Sequence, residues 1–292
     1  MSAHRPAPPA GAPPATSTDV VDLTVPPVDA IADLHGNPTT ADLVLFMNGN
    51  QFMVMDDAVE AFQEAHPQVR EVFFETIPPG KLLEQARNRT LQIGRLQLTI
   101  KPDAVAAGPR LLEPLYADGL IEQPVVYASN DLAILVAKGN PENIRGLADL
   151  ARPGVRVAMP NLRYEGVAEL IGQALEKAGG SQLRRSVLED KTASGHTRWT
   201  QIHHRESAMW LAAGEVDACP LWSTEARYHC VDLGAAMETV TIPAEHNVTG
   251  MYGIAVVRGC AHPEAAQAYV DFLRGPSGRD VYARYGFSGP DA

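Results

Sequence analysis

The sequence predicts an α/β fold wound on both faces of parallel sheets. A unit of buried strand, polar loop and amphipathic helix recurs along the chain, and repetition of that unit is what a doubly wound sheet requires. The loops joining strand to helix are short and carry Gly, Asn or Pro. A length of 292 residues suits two modest lobes or one large domain and excludes a single small module.

In chain order, residues 1 to 18 are Pro/Ala-rich and predict a disordered lead. Residues 19 to 39 alternate apolar and polar positions between prolines, as an extended strap lying on the body does. Leu43 to Met47 is the first buried strand, Asn48-Gly49-Asn50 a tight turn, and Phe52, Met55, Val59 and Phe62 one face of a helix that stops before Pro67. Glu71 to Glu75, Pro78-Pro79-Gly80 and the helix after it repeat the unit. Asn48, Asn50 and Gly80 then share one rim beyond the carboxyl ends of the strands, where such sheets bind ligands. The segment 95 to 137 adds a strand, a helix punctuated by Pro and Gly, and the fully apolar strand Leu132 to Ala137. Val155 to Met159 precedes a polar loop and a helix ending at Gly179-Gly180, and a weaker strand is predicted near Ser186 to Glu189. The chain closes with the strand MYGIAVV and two helical segments.

Charge narrows the partners. The net charge of −11 argues against nucleic acid, and there is no Lys/Arg run interleaved with aromatics to override it. An anion therefore has to be attracted by local donors. No apolar run approaches the roughly 20 residues that span a bilayer. The N-terminal stretch lacks the apolar region of a secretory signal, so as written it carries no export address. Cys219, Cys230 and Cys260 are too few for a disulfide framework and read as buried free thiols, with a single bridge as the alternative.

The most informative stretch is Thr200 to Glu225. Ile202, Met209, Trp210 and Ala213 recur at helical spacing, Gly214 is placed to end the helix, and VDACPLW follows as a strand. His203, His204 and Arg205 fall in the first turn or just ahead of it, where unpaired N–H groups and the positive end of the helix dipole favour an anion. An anion touched by His204 would bind more tightly below the imidazole pKa of about 6.5. Glu165 would repel an anion, so it either points outward or faces a donor on the ligand. Metal is not expected: adjacent His203 and His204 diverge on a helix, and no H-E-x-x-H occurs. There is no G-x-S-x-G, P-loop or G-x-G-x-x-G, which argues against an enzyme.

The segment order resembles the type II solute-binding proteins of ABC transporters, in particular the branch that binds molybdate, tungstate and related oxyanions. The resemblance rests on Asn130 to Val136 with Lys138 to Pro141, Leu147 to Leu150 before Val155 to Ala158, Gly214 to Ala218, Tyr252 to Val256, His262 to Leu273, and Tyr285 to Phe287. It implies a bilobal, periplasmic-binding-protein-like fold. Lobe 1 takes 40–128 and 250–290, lobe 2 takes 129–249, and two hinge strands join them near Ser129 to Val136 and Thr249 to Val257.

By position, the implied ligand contacts are Asn48, Asn50, Gln51, Pro79, Gly80, Asn161, Glu165, Gly166, His203, His204, Arg205 and Trp222. Where the family typically offers serine and tyrosine hydroxyls, this chain offers Asn, Pro, His and Trp, and Arg163-Tyr164-Glu165 replaces the usual Pro-Ala-Gly. The function implied is capture of a small anionic or polar ligand by a monomer that needs no cofactor and works with an ABC permease at a periplasmic or extracellular location. The alternatives are a cytoplasmic ligand sensor or accessory protein on the same bilobal fold, and a small carboxylate as ligand.

Overall fold

A computed structural model describes residues 33–93, 96–201, 203 and 205–290. The predicted lead, most of the predicted strap, and His204 lie outside the described residues. In chain order the first sheet and its helices comprise β1 (Leu34–His35), β2 (Leu43–Asn48), α1 (Met55–Ala65), β3 (Val72–Ile77), α2 (Pro79–Asn88), a hairpin of β4 (Thr90–Ile93) and β5 (Leu96–Thr99), β6 (Ala104–Ala107), α3 (Pro109–Ala117) and β7 (Val125–Asn130). The second set comprises β8 (Leu132–Ala137), β9 (Val157–Met159), α4 (Gly166–Arg185), α5 (Lys191–Ala193), β10 (Thr197–Trp199), α6 (Glu206–Ala212), β11 (Ala218–Trp222), α7 (Ser223–Arg227) and β12 (Met237–Thr241). The chain then returns through β13 (Gly250–Val256), α8 (Pro263–Arg274) and α9 (Pro276–Arg284).

Two sheets result, one ordered β1-β3-β2-β6-β13-β7 and the other β10-β9-β11-β8-β12. Strand β2 shows why the first is doubly wound: all six of its residues are buried. Leu43, Leu45 and Met47 pack with Met55 and Phe62 of α1 and Tyr269 of α8, whereas Val44 and Phe46 pack with Leu82 of α2 and Leu112 of α3. A strand covered on both faces must be apolar at successive positions, and each large side chain so buried contributes about 1.5–3 kcal/mol.

The sheets are mixed rather than wholly parallel. Strands that alternate with helices do run parallel, β2 with β3 and β6, and β9 with β10 and β11. Antiparallel pairing enters where the chain passes between sheets, in β7–β13 and β8–β11. A direct crossing supplies no helix to turn the strand around. The passages are stitched together: Asn247 receives Leu132 N–H at 3.1 Å and donates to its carbonyl at 2.9 Å, and Thr249 Oγ1 donates to Asp131 at 2.6 Å.

Two local expectations need correction. Residues Ser186–Asp190 are helical, not a strand, and the strand of that region is Thr197–Trp199. The preceding helix does leave helical geometry at Gly179 (φ −158°, ψ 22°) and Gly180 (φ 70°, ψ −174°), where it was expected to end, and a second helical segment follows whose Leu183 and Val187 enter the core. Phe52 precedes α1 instead of belonging to it, since Gly49–Gln51 forms a tight 3-10 turn first.

Glu75 sits in β3 fully shielded from water, and Gln85 Nε2 donates to its two oxygens at 3.0 and 3.2 Å. Burial pushes the carboxyl up to about 8, and the nearby Asp33 charge adds to the rise. A folded-state value above the ordinary 4.5 means stability is fully present below 4.5 and is lost as pH rises through 8. Chemical denaturation of the wild type and Glu75→Gln across that window should show the variant gaining relative stability at each step upward. A constant difference would mean that Glu75 is already ionised in the folded protein.

Candidate functional site

A cavity of about 470 Å³ opens between the two sheets. Its wall is built mainly from the starts of helical segments: Asn48 ahead of the 49–51 turn, Pro79 at the start of α2, Gly108 to Leu111 at α3, Glu165 to Val167 at α4, and Trp222 ahead of α7. Each of these segments lacks a side-chain cap on its first turn. Helix starts leave N–H groups without intrahelical partners and carry positive partial charge, which suits an anion at the starts of α3 and α4; at α2, Pro79 has no N–H and the Gly80 N–H is taken by Tyr164 O. Arg110 is the one cationic side chain among the described lining residues. The remaining wall combines the polar side chains of Glu169, Gln173 and Thr249 with apolar Leu170, Val248, Met251 and the Trp222 indole, whose ring lies against Gly250 and 5.6 Å from Tyr252.

Of the residues expected to touch ligand, Asn48, Asn50, Pro79, Glu165, Gly166 and Trp222 line this cavity. Gln51 does not. It is buried behind the turn, where Tyr282 Oη donates to its Oε1 at 2.6 Å and its amide meets the Tyr127 hydroxyl. Asn50 is fixed by the Tyr252 hydroxyl at 2.5 Å, so tyrosines of β7, β13 and α9 hold the loop in place. Gly80 lies one residue past the cavity, donating its N–H to Tyr164 O at 3.0 Å across the two halves. Asn161 is consumed in stitching loops, its amide donating to the carbonyls of Thr200 and Gln201 at 2.9 Å each.

His203 and Arg205 are also placed elsewhere, and other carboxylates occupy the positions foreseen for an anion. Glu206 accepts the Gln201 and His203 N–H groups at 3.1 Å, which fills the start of α6. Asp33, fully buried, pairs with Arg205 Nη2 and lies 3.1 Å from His203 Nε2. The Arg205 guanidinium also covers the Phe52 ring at 4.7 Å and reaches Thr76 O at 3.3 Å. Asp33 adjoins β1 on the edge of the first sheet, while His203 and Arg205 precede α6, so this cluster clasps the two halves together. His204 lies outside the described residues.

Sequence reasoning missed Asp33, Glu206, Arg110 and Tyr252. The signal for Arg110 was present, since Ala107-Gly108-Pro109-Arg110 repeats the strand-turn-helix pattern read elsewhere. Asp33 had no local signal, because its partners lie some 170 residues away.

Burial would raise the Asp33 carboxyl, but the His203 hydrogen bond and the Arg205 charge outweigh it and hold it below its usual 3.8. Burial likewise lowers the His203 imidazole below 6.5, more than Asp33 restores. Both depressed values mean stability present at higher pH and lost on acidification, first below 6.5 and again below 3.8. Asp33→Asn should cost about 3 kcal/mol at neutral pH, as expected when one partner of a mostly buried pair is removed, and should flatten the acid limb of the stability curve. Unchanged stability by denaturant titration would show that the clasp contributes nothing.

Among known proteins, the chain is 27% identical to the molybdate-binding protein ModA of Mycobacterium tuberculosis over 173 residues, which is 59% of this chain and 59% of the relative. It is 26% identical to the sulfate-binding protein of Escherichia coli over 208 residues, 68% of this chain and 62% of that protein. The chain thus spans about three fifths of the length of these curated relatives. Among solved structures, the sulfate-binding protein SubI of Mycobacterium tuberculosis H37Rv superposes with a TM-score of 0.69 at 19% identity, covering 85% of this chain and 86% of that one, which shows the shared fold. A family model described as bacterial extracellular solute-binding protein matches residues 43–288, and the chain belongs to that family.

Proposed function

We propose that this protein captures a small anion in the cavity between its two sheets and delivers it to an ABC permease at a periplasmic or extracellular location. One observation carries the reading: the uncapped starts of α3 and α4 converge on a single cavity, with Arg110 at its wall. Main-chain donors suit a protein of net charge −11, because they attract an anion locally where the overall field repels it. Relatives described as molybdate-binding and sulfate-binding support the same class of ligand. Within this reading Asn48, Asn50, Pro79, Glu165, Gly166 and Trp222 face the ligand. His203 and Arg205 act one step back, holding the halves at the spacing the cavity requires.

Thermal unfolding in the presence of molybdate, tungstate, sulfate, phosphate and small carboxylates tests this. An anion that binds the folded state alone at a hundred times its dissociation constant adds about 2.7 kcal/mol of stability. At least one anion should raise the transition, and Arg110→Ala should weaken its binding several-fold without lowering the unfolding temperature of the free protein. No stabilisation by any anion would remove the reading. A loss caused by Arg205→Lys but not by Arg110→Ala would move the site to the clasp.

Gly250 offers a second test of place. A methyl group there would sit 2.3 Å from the Trp222 ring, so Gly250→Ala has to displace the indole from its position on the cavity wall. Calorimetry should show weaker anion binding in Gly250→Ala, and unchanged affinity would separate Trp222 from the ligand.

A further inference from the structure

The two halves already touch across the cleft at several points, and the cavity that remains between them is large. Gly80 N–H donates to Tyr164 O at 3.0 Å, and Asp33 pairs with Arg205. Nearer the cavity, apolar side chains of each half lie against glycines of the other. A methyl group on Gly166 would stand 3.6 Å from Leu111 Cδ1, and one on Gly250 would meet Leu170 and the Trp222 ring. Further closure is opposed by contacts already made, yet about 470 Å³ stays open, a volume in the range that holds organic ligands. Apolar side chains from both halves surround it, Leu111 and Met251 from the first and Leu170 and Trp222 from the second. Leu111 and Met251 are 39% and 36% exposed, and apolar surface left in water around a concave site marks a place for an apolar partner. A polar end is built as well. Asn48 lines the same cavity at 4% exposed, and its Oδ1 has no hydrogen-bond partner among the described residues, whereas the Asn50 amide is fixed by Tyr252. Arg110 and the first turn of α4 line it too.

We propose that the cavity takes an organic anion, one charged head on an apolar body such as an aryl sulfonate or carboxylate, in preference to a bare inorganic oxyanion. This rests on the anion-capture reading above and names the class of ligand within it. The head meets Arg110, the first-turn N–H groups of α4 and the Asn48 amide. The body covers Leu111, Leu170, Trp222 and Met251, and removing that surface from water adds affinity that sulfate or molybdate has no means to gain. A singly charged head also suits a protein of net charge −11 better than a dianion, because the overall field repels it less.

Calorimetric titration with benzenesulfonate, methanesulfonate, sulfate, molybdate and the neutral benzenesulfonamide tests this. Benzenesulfonate and methanesulfonate carry the same head, so their ratio reads the body alone. The wild type should bind benzenesulfonate at least about tenfold more tightly than methanesulfonate, sulfate or molybdate, and more tightly than the neutral sulfonamide. Met251→Ser, at a partly exposed position, should narrow the gap between the two sulfonates several-fold; a merely structural effect would weaken both alike and leave the gap unchanged. Equal affinity for the two sulfonates, a preference for sulfate or molybdate, or an unchanged gap in Met251→Ser overturns the proposal and leaves anion capture standing. Sulfonamide binding as tight as that of benzenesulfonate removes anion capture and this proposal with it, as does no binding of any probe. Should Met251→Ser fail to fold, the wild-type ranking decides alone.

Discussion

The arrangement depends on a carboxylate that the protein supplies to itself. Asp33, on the edge of the first sheet, fills the space between His203 and Arg205, which precede a helix of the second. The pair is almost wholly buried, and its donors are shared further with Thr76 and with the face of Phe52. Burying a charge pair gains little unless the remaining donors and acceptors are met. Here Asp33 Oδ1 and Arg205 Nη2 are met across the two halves, while Asp33 Oδ2 and Arg205 Nε have no hydrogen-bond partner among the described residues. The contact therefore links the halves without satisfying every buried atom of the pair. A second link, from Gly80 N–H to Tyr164 O, lies beside the same cleft. Close approach at that point favours glycine, since a methyl group would fall 3.0 Å from the backbone of Arg163 and Tyr164, which would have to give by a few tenths of an ångström.

With Arg205 committed to Asp33, anion recognition in the proposed function falls to weaker donors. The starts of α3 and α4 present first-turn N–H groups, and Arg110 supplies one exposed guanidinium. Such a site costs little to keep unoccupied, because water reaches its donors, and closure around a ligand raises the value of each by excluding that water. Glu75, neutral in the first sheet, avoids adding a further buried charge next to Asp33.

Much of the fold was legible because its signals are local. Uninterrupted apolar strands such as Leu132–Ala137, and turns such as Pro78-Pro79-Gly80, mark their elements without reference to the rest of the chain. The two glycines do mark the end of a helix, but the stretch near Ser186 to Glu189 was misread as a strand, and only the packing of Leu183 and Val187 shows that a second helical segment follows. For the site, positions at strand-to-helix junctions were legible, and Asn48, Asn50, Pro79, Glu165, Gly166 and Trp222 do share one cavity. His203 and Arg205 carried the right chemistry for an anion but not the information that Asp33 and Glu206 already satisfy it. Whether a donor faces a ligand or a distant carboxylate is decided by tertiary packing, which a sequence window of a few residues does not contain.

The account turns on which of two positively charged places receives the anion. Anomalous diffraction from crystals soaked in arsenate, an oxyanion that can keep an O–H near neutral pH, locates the ion directly. The account predicts a peak in the cavity at the starts of α3 and α4, beside Arg110, with Asp33 still paired to Arg205. A peak between His203 and Arg205, with Asp33 displaced, would contradict it.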